Sequence, residues 1–348
     1  MKKRADGRFC KKVKMPDGTT KYFYSSESTE IRAERDIQKQ LLNYSVKEEK
    51  GKLLKQVTEE WQEHHYTTVT YATAERYDLY INVLNDYFAE KYIKEITAID
   101  LEHFMQFLSI KQYSSKTIKD QLSVTKMVFR YATIHRYVDN DVSAYISPSK
   151  GVPPKTRDAL TENEVLMVED SIECTFGLLA YFLLYTGLRK GEALALQWKD
   201  IDFENSIIHV YKSVYYESNT PCIKQPKTAA GKRDIILLDC LAKKLKKGLL
   251  NDYVFGYGKQ PMNKTYFSRH WEKYQKESGL KITAHQLRHT YATILFEADI
   301  KEKDAQALMG HSDIKVTQNI YTHIRQSRMP ETAGKLNNYI AVRKLSDT

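Results

Sequence analysis

The sequence predicts a multidomain chain that is mainly α-helical with small β-sheets. Apolar residues recur at helical spacing through most of its length, and strand-like alternation is confined to the first 25 residues and to Ile207–Val214 and Arg233–Leu238. A break containing Pro and Gly separates two long helical regions. At 348 residues the chain exceeds one typical domain, so two or three modules with separate cores are expected. An apolar fraction of 42% with 28% charged residues fits globular modules rather than widespread disorder.

The first module, residues 1–50, opens with the most basic stretch. Lys2, Lys3, Arg4, Arg8, Lys11, Lys12, Lys14 and Lys21 stand against Asp6 and Asp17. Phe9 and Val13 precede a Pro16-Asp17-Gly18 turn and Tyr22, Phe23 and Tyr24 follow it, which reads as a small basic sheet. From Glu30 to Glu49 the spacing becomes helical, with Ile31, Ile37, Leu41 and Leu42 expected against that sheet. Gly51 marks a boundary.

Residues 51–147 form a helical module. Its four helical stretches carry Leu54, Val57 and Trp61; Tyr77, Ile81, Leu84 and Phe88; Leu101, Phe104, Phe107 and Leu108; and Leu122, Met127, Val128 and Ile134. Residues 148–158 are a linker, because Pro148, Pro153, Pro154 and Gly151 cannot continue a helix; Lys150, Lys155 and Arg157 make it basic. The third module spans 159–329 and begins with Thr161-x-x-Glu164, the spacing of a capping box. Within it, Phe176 to Leu188 is the most apolar run. It is too short to cross a bilayer and reads as a buried helix with Phe176, Leu179, Phe182 and Leu183 in the core. A tail, 330–348, keeps helical spacing at Leu336, Tyr339, Ile340, Val342 and Leu345, a pattern that would suit packing on a neighbouring copy.

Charge and motif content narrow the function. Lys+Arg number 54 against 44 Asp+Glu, a formal net charge of +10, which favours a polyanionic partner. Cys10, Cys174, Cys222 and Cys240 are scattered with no CxxC pair, which suggests neither disulfides nor a zinc cluster and fits a reducing, cytoplasmic setting. There is no GxxxxGK[ST] loop to support ATP hydrolysis. His285 and His289 have the i,i+4 spacing of a zinc pair, but Gln286 replaces the Glu of HExxH, so no metal is expected.

Four pieces of the third module stand out: Thr186-Gly187-Leu188-Arg189-Lys190-Gly191-Glu192, Pro226-Lys227-Thr228, His285-Gln286-Leu287-Arg288-His289-Thr290, and Gly310-His311-Ser312 with Tyr321 following. Alone, Tyr321 is one of 25 tyrosines and reads as a packing residue. In conjunction, the order and spacing of these pieces resemble the tyrosine recombinase (phage integrase) family, by motif over roughly 157–330 and by layout elsewhere. The resemblance implies a helical core-binding domain, a mixed mainly-α catalytic domain of tyrosine recombinase type and an amino-terminal arm-binding domain of sheet plus helix. It also implies Arg189, Lys227, His285, Arg288, His311 and Tyr321 as the catalytic set, Glu192 in support, and no cofactor. Gln286 stands where Asp is commoner, which bears on the hydrogen bonding of that turn rather than on the six.

The chemistry accounts for these residue types. A phosphodiester repels nucleophiles and gains negative charge during attack; two guanidiniums, Arg189 and Arg288, can each offer paired donors without losing charge at neutral pH. His285 and Arg288, three apart, share a helix face. A tyrosine hydroxyl with a reference pKa of about 10 must lose its proton during attack, and His285 is the candidate acceptor. The resemblance gives Lys227 the role of general acid to the departing 5′ oxygen and His311 a hydrogen bond to the phosphate. The implied reaction cleaves and rejoins DNA through a 3′-phosphotyrosyl link, integrating and excising a mobile element.

The implied partners are double-stranded DNA with core-type and arm-type sites, a homotetramer on DNA, a DNA-bending host factor and an excisionase; no membrane is implied. Lys2, Lys3, Arg4, Arg8, Lys11, Lys12, Lys14, Lys150, Lys155 and Arg157 are the expected DNA contacts. The setting would be the cytoplasm and nucleoid of a bacterial host. Three alternatives remain: a type IB topoisomerase-like relaxing enzyme, a non-catalytic DNA-binding regulator, and a metal-dependent acidic-triad transposase.

Overall fold

The computed structural model describes residues 1–15, 19–153, 158–226, 231–315, 317, 318, 321, 322 and 334, without the side chains of 43–50. Its contacts divide into two units, Met1–Lys155 and Thr156–Thr348.

In the first unit, strands β1 (Lys2–Lys3), β2 (Phe9–Lys14) and β3 (Thr20–Ser25) form an antiparallel sheet in that order, with Cys10 opposite Tyr24 and Lys12 opposite Tyr22. Helix α1 (Glu30–Lys50) packs on β2 and β3. Ala33 and Ile37 are fully buried on it, whereas Ile31 and Leu42 are 70% and 64% exposed, contrary to the sequence expectation. The reason is angular: at roughly 100° per residue, both lie close to half a turn around the helix from Ala33.

Helices α2 (Leu54–His65), α3 (Tyr71–Phe88), α4 (Ala98–Ile110) and α5 (Ser115–Ile134) bury one core through Leu54, Trp61, Leu84, Phe88, Phe104 and Val128. Two starts are fixed locally. The Thr97 hydroxyl accepts from the Asp100 amide at 3.2 Å while the Asp100 carboxylate accepts from the Thr97 amide at 2.9 Å, and the Ser114 hydroxyl accepts from the Thr117 amide at 3.1 Å. Ile134, expected inside, is 68% exposed at the end of α5, because it lies about 160° around the helix from the fully buried Ala132. Part of the expected linker is tied down in this unit. Ser109 Oγ donates to the Lys150 carbonyl at 2.7 Å, and the Ser115 and Val152 amides donate to the Val152 and Tyr113 carbonyls at 2.9 and 3.0 Å. Gly151 permits this approach, since a Cβ there would fall 2.6 Å from backbone atoms of Tyr113 and Ser115.

The second unit begins with α6 (Glu162–Asp170), opened by the expected Thr161/Glu164 capping box, then α7 (Gly177–Thr186) and the short α8 (Lys190–Ala195). Strands β4 (Ile201–Asp202), β5 (Ile207–Val210) and β8 (Arg233–Ile236) form one antiparallel sheet, β6 (Ser213–Glu217) and β7 (Thr220–Lys224) a hairpin, and β9 (Gly256–Tyr257) and β10 (Gln260–Pro261) a minimal pair. Helix α9 (Asp239–Ala242) follows β8, and α10 (Lys264–Ser278), α11 (Ala284–Glu297) and α12 (Glu302–Met309) complete the described elements. The α7 run is buried through Leu179, Phe182, Leu183 and Leu184 and packs on α11; Phe176, expected in the core, is only partly buried. Among the described residues, no helix is long and apolar enough to cross a membrane.

Candidate active site

Helix α7 stops at Gly187, whose φ of +61° is left-handed and whose missing Cβ would otherwise lie 2.2 Å from the Tyr291 ring. The reversal delivers Arg189 to the N-cap of α8. There its amide donates to Glu192 Oε2 at 2.9 Å, Nη1 to Glu192 Oε1 at 2.9 Å and Nη2 to the Gly310 carbonyl at 3.2 Å. Its side chain is about half exposed, so donors remain open to a ligand.

Arg288 comes from α11. Thr283 and Gln286 start this helix with a reciprocal cap: the Thr283 hydroxyl accepts from the Gln286 amide at 3.3 Å and Gln286 Oε1 accepts from the Thr283 amide at 3.1 Å. Gln286 thus supplies the local hydrogen bonds of that turn. One turn on, Arg288 is almost wholly buried; Nη1 donates to the Gly187 carbonyl at 2.7 Å and Nη2 to that of Met309. Burial, then the charge of Arg189, lowers its pKa, while Glu192 opposes the shift. Arg189, His285 and Arg288 line one open cleft of about 540 Å³.

Helix α12 ends at Gly310 with φ +66°, followed by His311, which is 8% exposed and places Nδ1 2.9 Å from the Thr317 hydroxyl. Burial, then the charges of Arg288, Arg189, Arg233 and His285, lower its pKa from 6.5 to about 4. His311 is therefore neutral at pH 7. A histidine in the unfolded chain protonates below about 6.5, so this contribution to stability is full above that pH and is lost as the pH falls toward about 4. Urea titrations should show a loss of about 2–3 kcal/mol across that window from this group. His311→Gln should flatten the pH dependence by that amount; identical curves would remove His311 as its source.

Glu192 joins these pieces. It is 6% exposed, and its two oxygens receive Arg189 and Arg233, with Arg288 Nη1 3.9 Å away. Burial alone would raise its pKa, but hydrogen bonds and charge from Arg233, with further help from Arg189, hold it below the ordinary value. Sequence reasoning missed Arg233. The available signal was the alternation Arg233, Ile235, Leu237, which puts a charged residue at an inward position of a strand.

Tyr321 stands apart. It is 2% exposed, packs among Tyr291, Leu295 and Met309, meets the Phe296 ring edge-on at 5.1 Å and donates its hydroxyl hydrogen to the Ile300 carbonyl at 3.2 Å. It is not part of the lining of the Arg189 cleft. Lys227 lies outside the described residues, between β7 and β8, as do Lys155, Arg157 and all of the tail but Gly334. His289 is half-buried on α11, and among the described residues no group of three or more His, Cys, Asp or Glu could hold a metal.

In the amino-terminal sheet, Lys2, Lys3, Arg4, Lys11 and Lys12 share a hollow of about 900 Å³ with Tyr22 and Tyr24. Arg8 instead pairs with Asp6 at 2.8 Å, Lys14 is exposed at the end of β2, and Lys150 is exposed beside the α4–α5 turn.

Residues 160–328 match the phage integrase family and residues 53–109 match the N-terminal SAM-like domain of phage integrases. A XerC-like tyrosine recombinase of Caldanaerobacter subterraneus subsp. tengcongensis is 30% identical over 284 residues, covering 71% of this chain and 72% of that protein. Two solved structures share the fold. The Tn1549 transposon integrase in complex with a circular intermediate DNA has a TM-score of 0.62 at 22% identity, covering 80% of this chain and 99% of that one. A lambda integrase tetramer bound to a Holliday junction has a TM-score of 0.60 at 18% identity, covering 91% and 93%. The chain belongs to the phage integrase family of tyrosine recombinases, which carry out site-specific DNA recombination.

Proposed function

We propose that this protein is an integrase whose Tyr321 cuts and rejoins DNA, with Arg189 and Arg288 holding the scissile phosphate. The observation that carries this reading is the convergence of both guanidiniums on Glu192, beside a neutral His311. Attack by the Tyr321 oxygen forms a phosphotyrosyl bond and breaks the bond to the 5′ oxygen. The Tyr321 proton goes to His285 and the departing oxygen takes one from Lys227. Arg189 and Arg288 bind the equatorial oxygens as their charge grows. Nδ1 of His311 lies 2.9 Å from the Thr317 hydroxyl, and in the tautomer with its hydrogen on Nε2 the ring donates to the same phosphate. Bond energy is kept in the protein–DNA link, so rejoining needs neither metal nor nucleotide.

The Ile300 bond gives Tyr321 a resting position that it must leave before attack. A nicked core-site duplex incubated with the protein in chelator tests the reaction. A covalent complex supports it, and none at any metal concentration supports a DNA-binding regulator instead. Exchange between two matched sites separates a recombinase from a relaxing topoisomerase. Chelator sensitivity without a covalent link would point to an acidic-triad transposase.

Residues 1–50 are assigned to arm-type sites, and 51–147 with 159–329 to a clamp on core-type sites, joined through 148–158. The basic, aromatic hollow of the sheet supports the first assignment. The active assembly is a homotetramer in the cytoplasm of a bacterial host, nucleoid-associated, aided by a DNA-bending factor and an excisionase, with the 330–348 tail packing on a neighbour. A truncation starting at Gly51 should still form the covalent complex on a core site but lose specific arm-site binding by at least about tenfold, because tethered binding depends on both sites. Arm-site affinity equal to the full chain's in a gel-shift titration would remove the assignment.

A further inference from the structure

Arg233 belongs to none of the motifs above, yet its guanidinium is among the most buried in the second unit, its side chain 6% exposed. It enters β8 at the inward position that Ile235 and Leu237 continue. Its Nη1 and Nη2 donate to the two oxygens of Glu192 at 3.3 and 3.0 Å, a paired grip, and Nε donates to the Leu308 carbonyl at 2.8 Å. Room for it depends on Gly310, where a Cβ would lie 2.7 Å from Nη1. The residue therefore binds the carboxylate of α8 and the end of α12 just ahead of His311.

Glu192 is a buried anion that cannot remain unpaired. Arg189 meets it through Nη1 and the backbone amide, whereas Arg288 Nη1 stays at 3.9 Å, beyond a hydrogen bond. Without Arg233, the carboxylate would have open lone pairs toward Arg288, and closing that gap would turn the fork of Arg288 toward Glu192. We propose that Arg233 is a positioning residue for strand cleavage: by occupying Glu192 through a paired grip, it leaves the donors of Arg189 and Arg288 free for the scissile phosphate. This rests on the assignment of those two arginines as phosphate-binding groups.

The test compares full-length wild type, Arg233→Gln, Arg233→Lys, Glu192→Gln and Arg233→Gln/Glu192→Gln. It measures core-site affinity, thermal melting and the single-turnover rate of covalent-complex formation on a nicked core duplex at saturating protein. Arg233→Gln should cleave about 100-fold more slowly with affinity within about threefold of wild type, because donors that act at the transition state have been diverted. Adding Glu192→Gln should recover at least about tenfold of that loss, since the competing anion is gone. A purely structural Arg233 predicts a double variant no faster than Arg233→Gln, and that result overturns the proposal, as does a single variant that cleaves at the wild-type rate.

Should Arg233→Gln fail to fold, Arg233→Lys decides: it keeps a charge but not the fork, so cleavage at least about tenfold slower at unchanged affinity supports the proposal and wild-type cleavage overturns it. Wild type lacking any Tyr321-dependent covalent complex would remove the underlying reaction and this proposal together. Wild type forming that complex, with the Arg233 variants cleaving equally fast, removes the proposal alone.

Discussion

Tyr321→Phe is expected to abolish covalent attachment to a nicked core-site duplex, lowering the single-turnover rate by more than about 10⁴-fold, while core-site affinity stays within about threefold of wild type. The substitution deletes the one oxygen that becomes bonded to phosphorus and leaves the basic surface unchanged. It also leaves the fold nearly unaffected. The ring keeps its edge-on contact with Phe296 and its place among Tyr291, Leu295 and Met309, while the bond from the hydroxyl to the Ile300 carbonyl is lost. A hydrogen bond of that kind contributes about 0.5–1.5 kcal/mol, so the melting temperature should shift by a few degrees at most. The readout is a protein–DNA band on a denaturing gel. Such a band from the phenylalanine variant would show that another residue is the nucleophile.

Arg189→Lys should slow cleavage by about 10²–10³-fold, corresponding to about 2.7–4 kcal/mol of lost transition-state stabilisation, with little change in DNA affinity. Arg189 sends Nη1 to Glu192 and Nη2 to the Gly310 carbonyl, which fixes the plane of its fork while half of the side chain stays accessible. An ammonium is one point charge on a flexible stem and cannot hold both anchors while presenting paired donors to a phosphate. The backbone start of α8 survives, because the amide of residue 189 would still donate to Glu192 as it does now. Folding should therefore persist while the rate collapses. Turnover near the wild-type rate would remove Arg189 from the phosphate-binding role.

Much of the molecule was legible in the sequence because it is decided within a few residues. The caps Thr161/Glu164 and Thr283/Gln286 are i,i+3 arrangements that a short stretch completes by itself. The helices of 54–134 follow from a 3.6-residue apolar period, and strands β2 and β3 from alternation on either side of Pro16-Asp17-Gly18, an expected turn that lies outside the described residues. Periodicity marks a stripe but not its partner, which is why Ile31, Leu42 and Ile134 were expected inside and lie in solvent.

The candidate site was legible as an ordered set of motifs, which named Arg189, Glu192, Lys227, His285, Arg288, His311 and Tyr321 without giving their geometry, and Lys227 lies outside the described residues. That geometry is tertiary. Arg233 reaches Glu192 across 41 residues, Arg288 reaches Gly187 across 101, and Arg189 reaches Gly310 across 121. Burial and Coulomb interactions sum over whatever the fold brings close, regardless of chain separation. For that reason the sequence alone determined most helices and strands and the local caps, and named the residues proposed to react. Only the tertiary structure decided that Glu192 is shared among guanidiniums, that His311 is neutral, and that Tyr321 rests on the Ile300 carbonyl.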